Sequence, residues 1–183
     1  KNILGLTDEE ISKRKETPAT PQQSAIPEPP SSSQKNADTT AEKKHYPYFE
    51  YPYNIEEDRQ NFDYNNVDIV VGDKKYMTQI MNFLDYKDKT VMIEGYYLSI
   101  NGHYFVGRNG PTCPYCTGGY VDFEFTSDQD FTGYEPASTW IRVYGILREA
   151  KVHLNDHITA PFYHLEAVKV EKMDHEGIGT ITD

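Results

Sequence analysis

Thr90-Val-Met-Ile-Glu-Gly-Tyr-Tyr-Leu-Ser-Ile100, then Asn101-Gly102, then His103-Tyr-Phe-Val-Gly-Arg108 is the stretch that decides the fold. The first run is long and rich in β-branched and aromatic residues, which suits a half-buried pleated strand. Asn-Gly is the pair that a two-residue type I′ turn favours, because both central residues need positive φ. The segment therefore reads as a hairpin, with Gly95 inside its first strand as a point of sharp coiling. Three more strands follow. Tyr120–Thr126 alternates, with Val121, Phe123 and Phe125 on one face and Asp122, Glu124 and Thr126 on the other. Trp140–Leu147 is the next, with Gly145 as a second coiling point. In Phe162–Lys172 the apolar positions slip by one near Ala167, which a β-bulge there accommodates.

Upstream, Val67–Val71 reads as a short strand. The segment from Asp73 to Tyr86 reads as a helix capped by Asp73, with Met77, Ile80, Met81 and Leu84 on its buried face. Five strands with this spacing, the first long and glycine-broken, predict a mainly β fold. It is a five-stranded OB-like barrel with a short lead-in strand and helix, in which the first strand pairs with both the second and the fourth.

Composition divides the 183 residues in two. All fifteen tyrosines, all eight phenylalanines and the single tryptophan lie from Tyr46 onward. Residues 1–46 carry runs such as Thr17-Pro-Ala-Thr-Pro-Gln-Gln-Ser and Pro27-Glu-Pro-Pro-Ser-Ser-Ser, with too little apolar surface to offset ordering entropy. They read as a disordered Pro/Ser/Thr-rich linker, and residues 47–183 as the OB-like domain. Near the start, Thr7-Asp-Glu-Glu10 is a capping-box pattern that can open a short helical turn through Glu16.

The linker is electrically neutral, so the formal charge of −11 falls on the domain. A surface that acidic repels phosphate backbones, which excludes nucleic acid as the expected partner. The chain lacks a run of about 18 apolar residues of the kind that crosses a membrane as a helix. It starts at Lys1 rather than at a methionine, which reads as the removal of a leading segment, and a Pro/Ser/Thr linker ahead of an acidic domain suits a protein tethered outside a bacterial cell.

The chemistry-bearing segment is Arg108-Asn-Gly-Pro-Thr-Cys113-Pro-Tyr-Cys116-Thr-Gly-Gly119, which holds both cysteines. On the expected topology, the second and fourth barrel strands run the same way. They deliver this loop and Glu149–Pro161, with its His153-Leu-Asn-Asp-His157, to one end of the barrel. Cys113, Cys116, His153 and His157 then have the ligand types and local spacings of a closed tetrahedral zinc site. A Cys113–Cys116 disulfide is the competing reading, since an oxidising compartment favours it. Thioredoxin-like catalysis fits poorly, because this turn links strands rather than opening a helix. His103 is a spare ligand candidate, and Asp122, Glu124, Asp128 and Asp130 form an acidic cluster without regular calcium-loop spacing.

The chain holds no nucleophile elbow, no phosphate loop and no distinct carboxylate pair, so a binding or accessory module is favoured over an enzyme. Its many tyrosines, among them Tyr46, Tyr48, Tyr51, Tyr53, Tyr96 and Tyr97, suit either a ligand groove or the outer cover of a small barrel. The alternative function is accordingly an oligosaccharide- or peptide-binding module. It would use the second and third barrel strands, with Tyr104, Phe105 and Tyr120 clustering on one concave face.

The run from Val67 to Met173 resembles the C-terminal OB-like domain of an uncharacterised family of membrane-anchored bacterial proteins, often encoded beside a permease-like protein. The resemblance rests on the lead-in strand and helix, Ile93-Glu-Gly95, Arg108 ahead of the cysteines, Trp140-Ile-Arg-Val-Tyr-Gly145 and Leu165-Glu-Ala-Val168. This chain departs from it at Cys113-Pro-Tyr-Cys116, where the family has adjacent cysteines and an Ala-Asp-Ala-like run. What the resemblance implies is an extracytoplasmic, membrane-anchored accessory domain with a membrane-protein partner; it implies no reaction.

Overall fold

A computed structural model describes residues 45–111 and 118–182. Residues 1–44, which include the expected capping box and most of the expected linker, lie outside the described residues, as do Cys113 and Cys116. The elements are β1 (Tyr48–Glu50), α1 (Ile55–Asn61), β2 (Ile69–Val71), α2 (Tyr76–Met81), a 3-10 turn (Phe83–Tyr86), β3 (Thr90–Ile100), β4 (His103–Asn109), β5 (Tyr120–Thr126), β6 (Trp140–His153) and β7 (Thr159–Lys172).

Strands β3 to β7 close on themselves. β3 pairs antiparallel with both β4 and β6, β4 with β5, and β6 with β7, while a short parallel contact of Phe125 and Thr126 with Leu165 and Glu166 joins β5 to β7. That is the connectivity of an OB-like barrel, with β1 and β2 added outside. The β3–β4 turn has φ of 53° at Asn101 and 82° at Gly102, the two positive values that the Asn-Gly pair predicts. Tight coiling needs bare backbone at two expected points. A Cβ on Gly95 would stand 2.5 Å from the Gly107 carbonyl oxygen, and one on Gly145 would stand 2.7 Å from that of Glu166. The bulge is where the slip in apolar register requires it. Tyr144 pairs with Lys169 and Gly145 with Ala167, leaving Val168 as the extra residue, and both Ala167 and Val168 are buried.

Val91, Ile93, Val106, Phe125, Ile141, Val143, Leu147, Leu165 and Val170 fill the interior. Phe131 and Tyr134, from the β5–β6 connection, close one end against Tyr97, Tyr104 and Phe125. Beside the other, Phe83 of the 3-10 turn meets Phe123 of β5 and Tyr163 of β7, between which the strand pairing is open. The plug there comes from the lead-in segment.

Three sequence expectations need correction. First, the lead-in helix does not start on an Asp73 cap: its N-cap is Lys75, in the left-handed region, and Asp73 instead pairs with Arg108 at 2.5 Å. Second, its inward residues are Tyr76, Met77, Ile80, Phe83 and Tyr86, whereas Met81 and Leu84 are 73% and 57% exposed. Leu84 falls in the 3-10 turn, where the tighter winding rotates the face away from a uniform 3.6-residue period, and Met81, the last residue of α2, is turned to solvent. Third, β6 continues to His153 and β7 begins at Thr159, so most of the expected Glu149–Pro161 loop is a hairpin. β1 supplies the reason: Tyr48, Phe49 and Glu50 pair with His153, Val152 and Lys151, giving the extension a partner on its second edge.

Candidate functional site: an aromatic groove beside the barrel

In Phe49-Glu-Tyr51-Pro-Tyr53, which leads out of β1, the aromatic residues recur at every second position and their rings follow one another, Phe49 to Tyr51 at 6.0 Å and Tyr51 to Tyr53 at 5.6 Å. The Phe49 ring meets Phe162 at 4.8 Å, and Tyr51 meets the edge of His164 at 5.5 Å. Phe162 and His164 in turn stack at 4.7 Å. A strap of chain is thereby laid across the outside of β7. α1 continues it, and the Arg59 side chain donates to the Val168 carbonyl.

Between this strap and the β4–β5 ribbon lies a groove of about 450 Å³. Phe49, Tyr51, Tyr53 and Ile55 form one wall; Gly102 of the β3–β4 turn, His103 and Tyr104 of β4, Glu124 to Thr126 of β5 and Ser127 and Asp128 just after it form the other. Its volume is within the usual range for small-ligand sites. Phe49 and Tyr51 rings lie 6.0 Å apart with planes only 7° from parallel, and Tyr51 is 43% exposed. Polar groups line the other wall. His103 Nδ1 stands 2.6 Å from Glu124 Oε1, and Asp128 is paired with Arg59 at 2.6 Å.

Behind the groove the strap is fixed by a buried polar set. The Tyr53 hydroxyl is 2.5 Å from His164 Nε2 and 3.2 Å from Thr126 Oγ1. His164 Nδ1 faces the Phe162 carbonyl, which only accepts, so Nδ1 carries the proton and Nε2 accepts from Tyr53. Burial, helped by Arg148 and opposed by that carbonyl, pulls His164 down to about 4. Two residues on, Glu166 is fully buried and pushed up to about 7 by burial, with Asp58 adding to the rise and Arg148 opposing it. Arg148 holds Glu166 at 2.9 Å and Asp58 at 2.8 Å, joining β6, β7 and α1.

Tyr104, Phe105 and Tyr120 do not form the expected common face. Tyr104 pairs with Phe125 and packs toward the interior, whereas Phe105 is paired with Glu124 on the opposite side of the pleat. Adjacent strand residues point oppositely, so a cluster containing both 104 and 105 is barred. Tyr120 lies beside Tyr96, at the far end of the hairpin. Of the three, only Tyr104 reaches the groove. The strap aromatics carry the signal that reveals the site, a period of two in Phe49, Tyr51 and Tyr53, which attention to tyrosines alone misses at Phe49.

The expected zinc ligands are placed only in part, since Cys113 and Cys116 are outside the described residues. His153 stacks on Tyr48 at 4.4 Å, with Nε2 3.0 Å from Glu50 and Nδ1 3.0 Å from Thr159 Oγ1. His157 is exposed in the β6–β7 turn, where Asn155 Oδ1 accepts from its backbone N–H. The cysteine turn is closed at its neck by a 2.7 Å bond from Gly110 N–H to the Gly119 carbonyl, at the Asn109–Tyr120 end of the β4–β5 ribbon. His103, at the ribbon's other end, is engaged with Glu124. The acidic residues disperse: Glu124 to His103, Asp128 to Arg59 and Asp130 to Thr132. Among the described residues no group of three or more His, Cys, Asp or Glu side chains is arranged to hold a metal ion, and no helix is long and apolar enough to cross a membrane.

Comparison with known proteins returns no match. No family model, no curated protein and no solved structure is significantly similar to this chain.

Proposed function

We propose that this chain is an OB-like binding module whose ligand, an oligosaccharide or an extended peptide, lies in the groove between the strap and the β4–β5 ribbon. The single observation that carries this is the parallel Phe49–Tyr51 pair, part-exposed beside the His103–Glu124 pair in a cleft of about 450 Å³. OB folds take ligands on the same ribbon, which adds fold-level support. The expected setting is extracytoplasmic and membrane-tethered, with the module serving a membrane-protein partner such as a permease, as the family resemblance implies. Binding of the whole chain to glycan and peptide arrays, compared with a Phe49→Ala/Tyr51→Ala double variant, tests the reading. Signals that the double variant abolishes support it; signals of equal strength in both forms contradict it.

A second proposal concerns the cysteine turn, where the closed neck at Gly110 and Gly119 favours a local structural crosslink. Zinc on Cys113, Cys116, His153 and His157 would be detected by mass spectrometry of the purified chain. Stoichiometric zinc that disappears in Cys113→Ser supports the metal; equal content in both forms eliminates it and leaves a disulfide or free thiols, which thiol titration separates.

A further inference from the structure

Deepening the groove reading, on which it rests, we infer that the ligand is an uncharged oligosaccharide rather than a peptide. Extended peptides gain affinity from a sheet edge whose N–H and C=O groups are unpaired. The groove's barrel wall lacks such an edge. β4 is paired with β3 through His103–Gly107 and with β5 from Tyr104 onward, and in the groove β5 is paired with β4 at Glu124, with β4 and β7 at Phe125 and with β7 at Thr126. Only single unpaired positions at Glu124 and Thr126 remain there, too few for main-chain recognition of an extended strand.

What the groove offers instead is ring faces and acceptors. Phe49 and Tyr51 present near-parallel rings, and part of Tyr51 is uncovered, a surface on which the apolar C–H face of a pyranose packs. Glu124 and Asp128 stand on the opposing wall, each engaging one basic partner among the described residues, His103 and Arg59, and an ionised carboxylate has about four acceptor positions. Capacity for sugar hydroxyls remains on both. Charge selects among sugars: two carboxylates in the groove and a chain charge of −11 repel uronate and sulfated polymers.

The test is titration of the whole isotope-labelled chain with cellohexaose, maltohexaose and the N-acetylglucosamine hexamer, with hexagalacturonate as the anionic control, read by amide chemical shifts. At least one neutral hexamer is expected to shift amides in 49–55 and 124–128. Tyr51→Ala and Glu124→Gln are each expected to weaken it about tenfold, a loss of about 1.4 kcal/mol, while leaving the remaining spectrum in place. Hexagalacturonate is expected to leave the groove unshifted. Failure of all three neutral sugars, or equal binding of hexagalacturonate, overturns the inference. Titration with peptides selected from a random library then separates the two levels. Peptide shifts at the groove would retain a binding module and refute the sugar; their absence as well would refute both.

Discussion

Arg108 shows how much a single residue on the closing hairpin does. Its guanidinium is 2% exposed, lies 4.6 Å from the centre of the Tyr76 ring and 5.2 Å from that of Trp140, and donates to the Glu94 and Ile178 carbonyls as well as to Asp73. It thus ties the lead-in, the barrel and the C-terminal tail together. Arg108→Met keeps the stem and removes the cation. It is expected to cost about 2–4 kcal/mol, from lost cation–π and charge-assisted hydrogen bonds, measured by urea unfolding; a loss below about 0.5 kcal/mol would contradict the assignment. The sequence marked Arg108 only as a residue ahead of the cysteines, because its partners come from positions 73, 76, 94, 140 and 178, which no local pattern connects.

His164 and Glu166 make opposite demands on pH. His164 titrates near 4 when folded against 6.5 in its ordinary state, so across that window the unfolded chain binds a proton that the folded chain refuses, and stability rises with pH. Glu166 titrates near 7 against 4.5, so across its window the folded chain keeps a proton that the unfolded chain has lost, and stability falls with pH. Between about 4.5 and 6.5 the two slopes oppose each other. Urea melts over that range should therefore show stability falling with pH in His164→Gln and rising with pH in Glu166→Gln. The reverse pattern would mean that the buried set is wired differently.

At the scale of elements, legibility follows locality. The β3–β4 hairpin and β5 could be read from sequence because turn chemistry and alternation are local, and the bulge near Ala167 because a slip in apolar register has one economical cause. The far half of β6 could not, because Glu149–His153 becomes a strand only where β1 pairs with it. The lead-in helix kept its place but not its whole face, as Leu84 lies in the 3-10 turn Phe83–Tyr86 and Met81 points to solvent at the end of α2. Consequently Phe83→Ala, which strips a plug from between β5 and β7, should cost about 2–4 kcal/mol, and Met81→Gln should stay within about 0.5 kcal/mol. Thermal melts of the two variants decide this. Equal losses would restore the uniform helical face that the spacing of Met77, Ile80, Met81 and Leu84 predicts.

For the whole molecule, the groove exists because two distant parts of the chain meet: a strap at residues 49–55 and a ribbon at 102–128. The barrel alone supplies one wall; the strap, fixed by Tyr53, Asp58 and Arg59 to β5, β6 and β7, supplies the other. Sequence reading nominated the ribbon and some of the tyrosines, yet it could not show that the strap folds back onto β7, since that depends on the buried His164 and Glu166. The central claim is that this composite groove is where ligand binds. Amide chemical-shift mapping of the whole chain with a ligand taken from the arrays tests it most directly. The account predicts perturbations in both 49–55 and 102–104 with 124–128, whereas shifts gathered around Asn109–Tyr120 and the cysteine turn, with the strap unmoved, would contradict it.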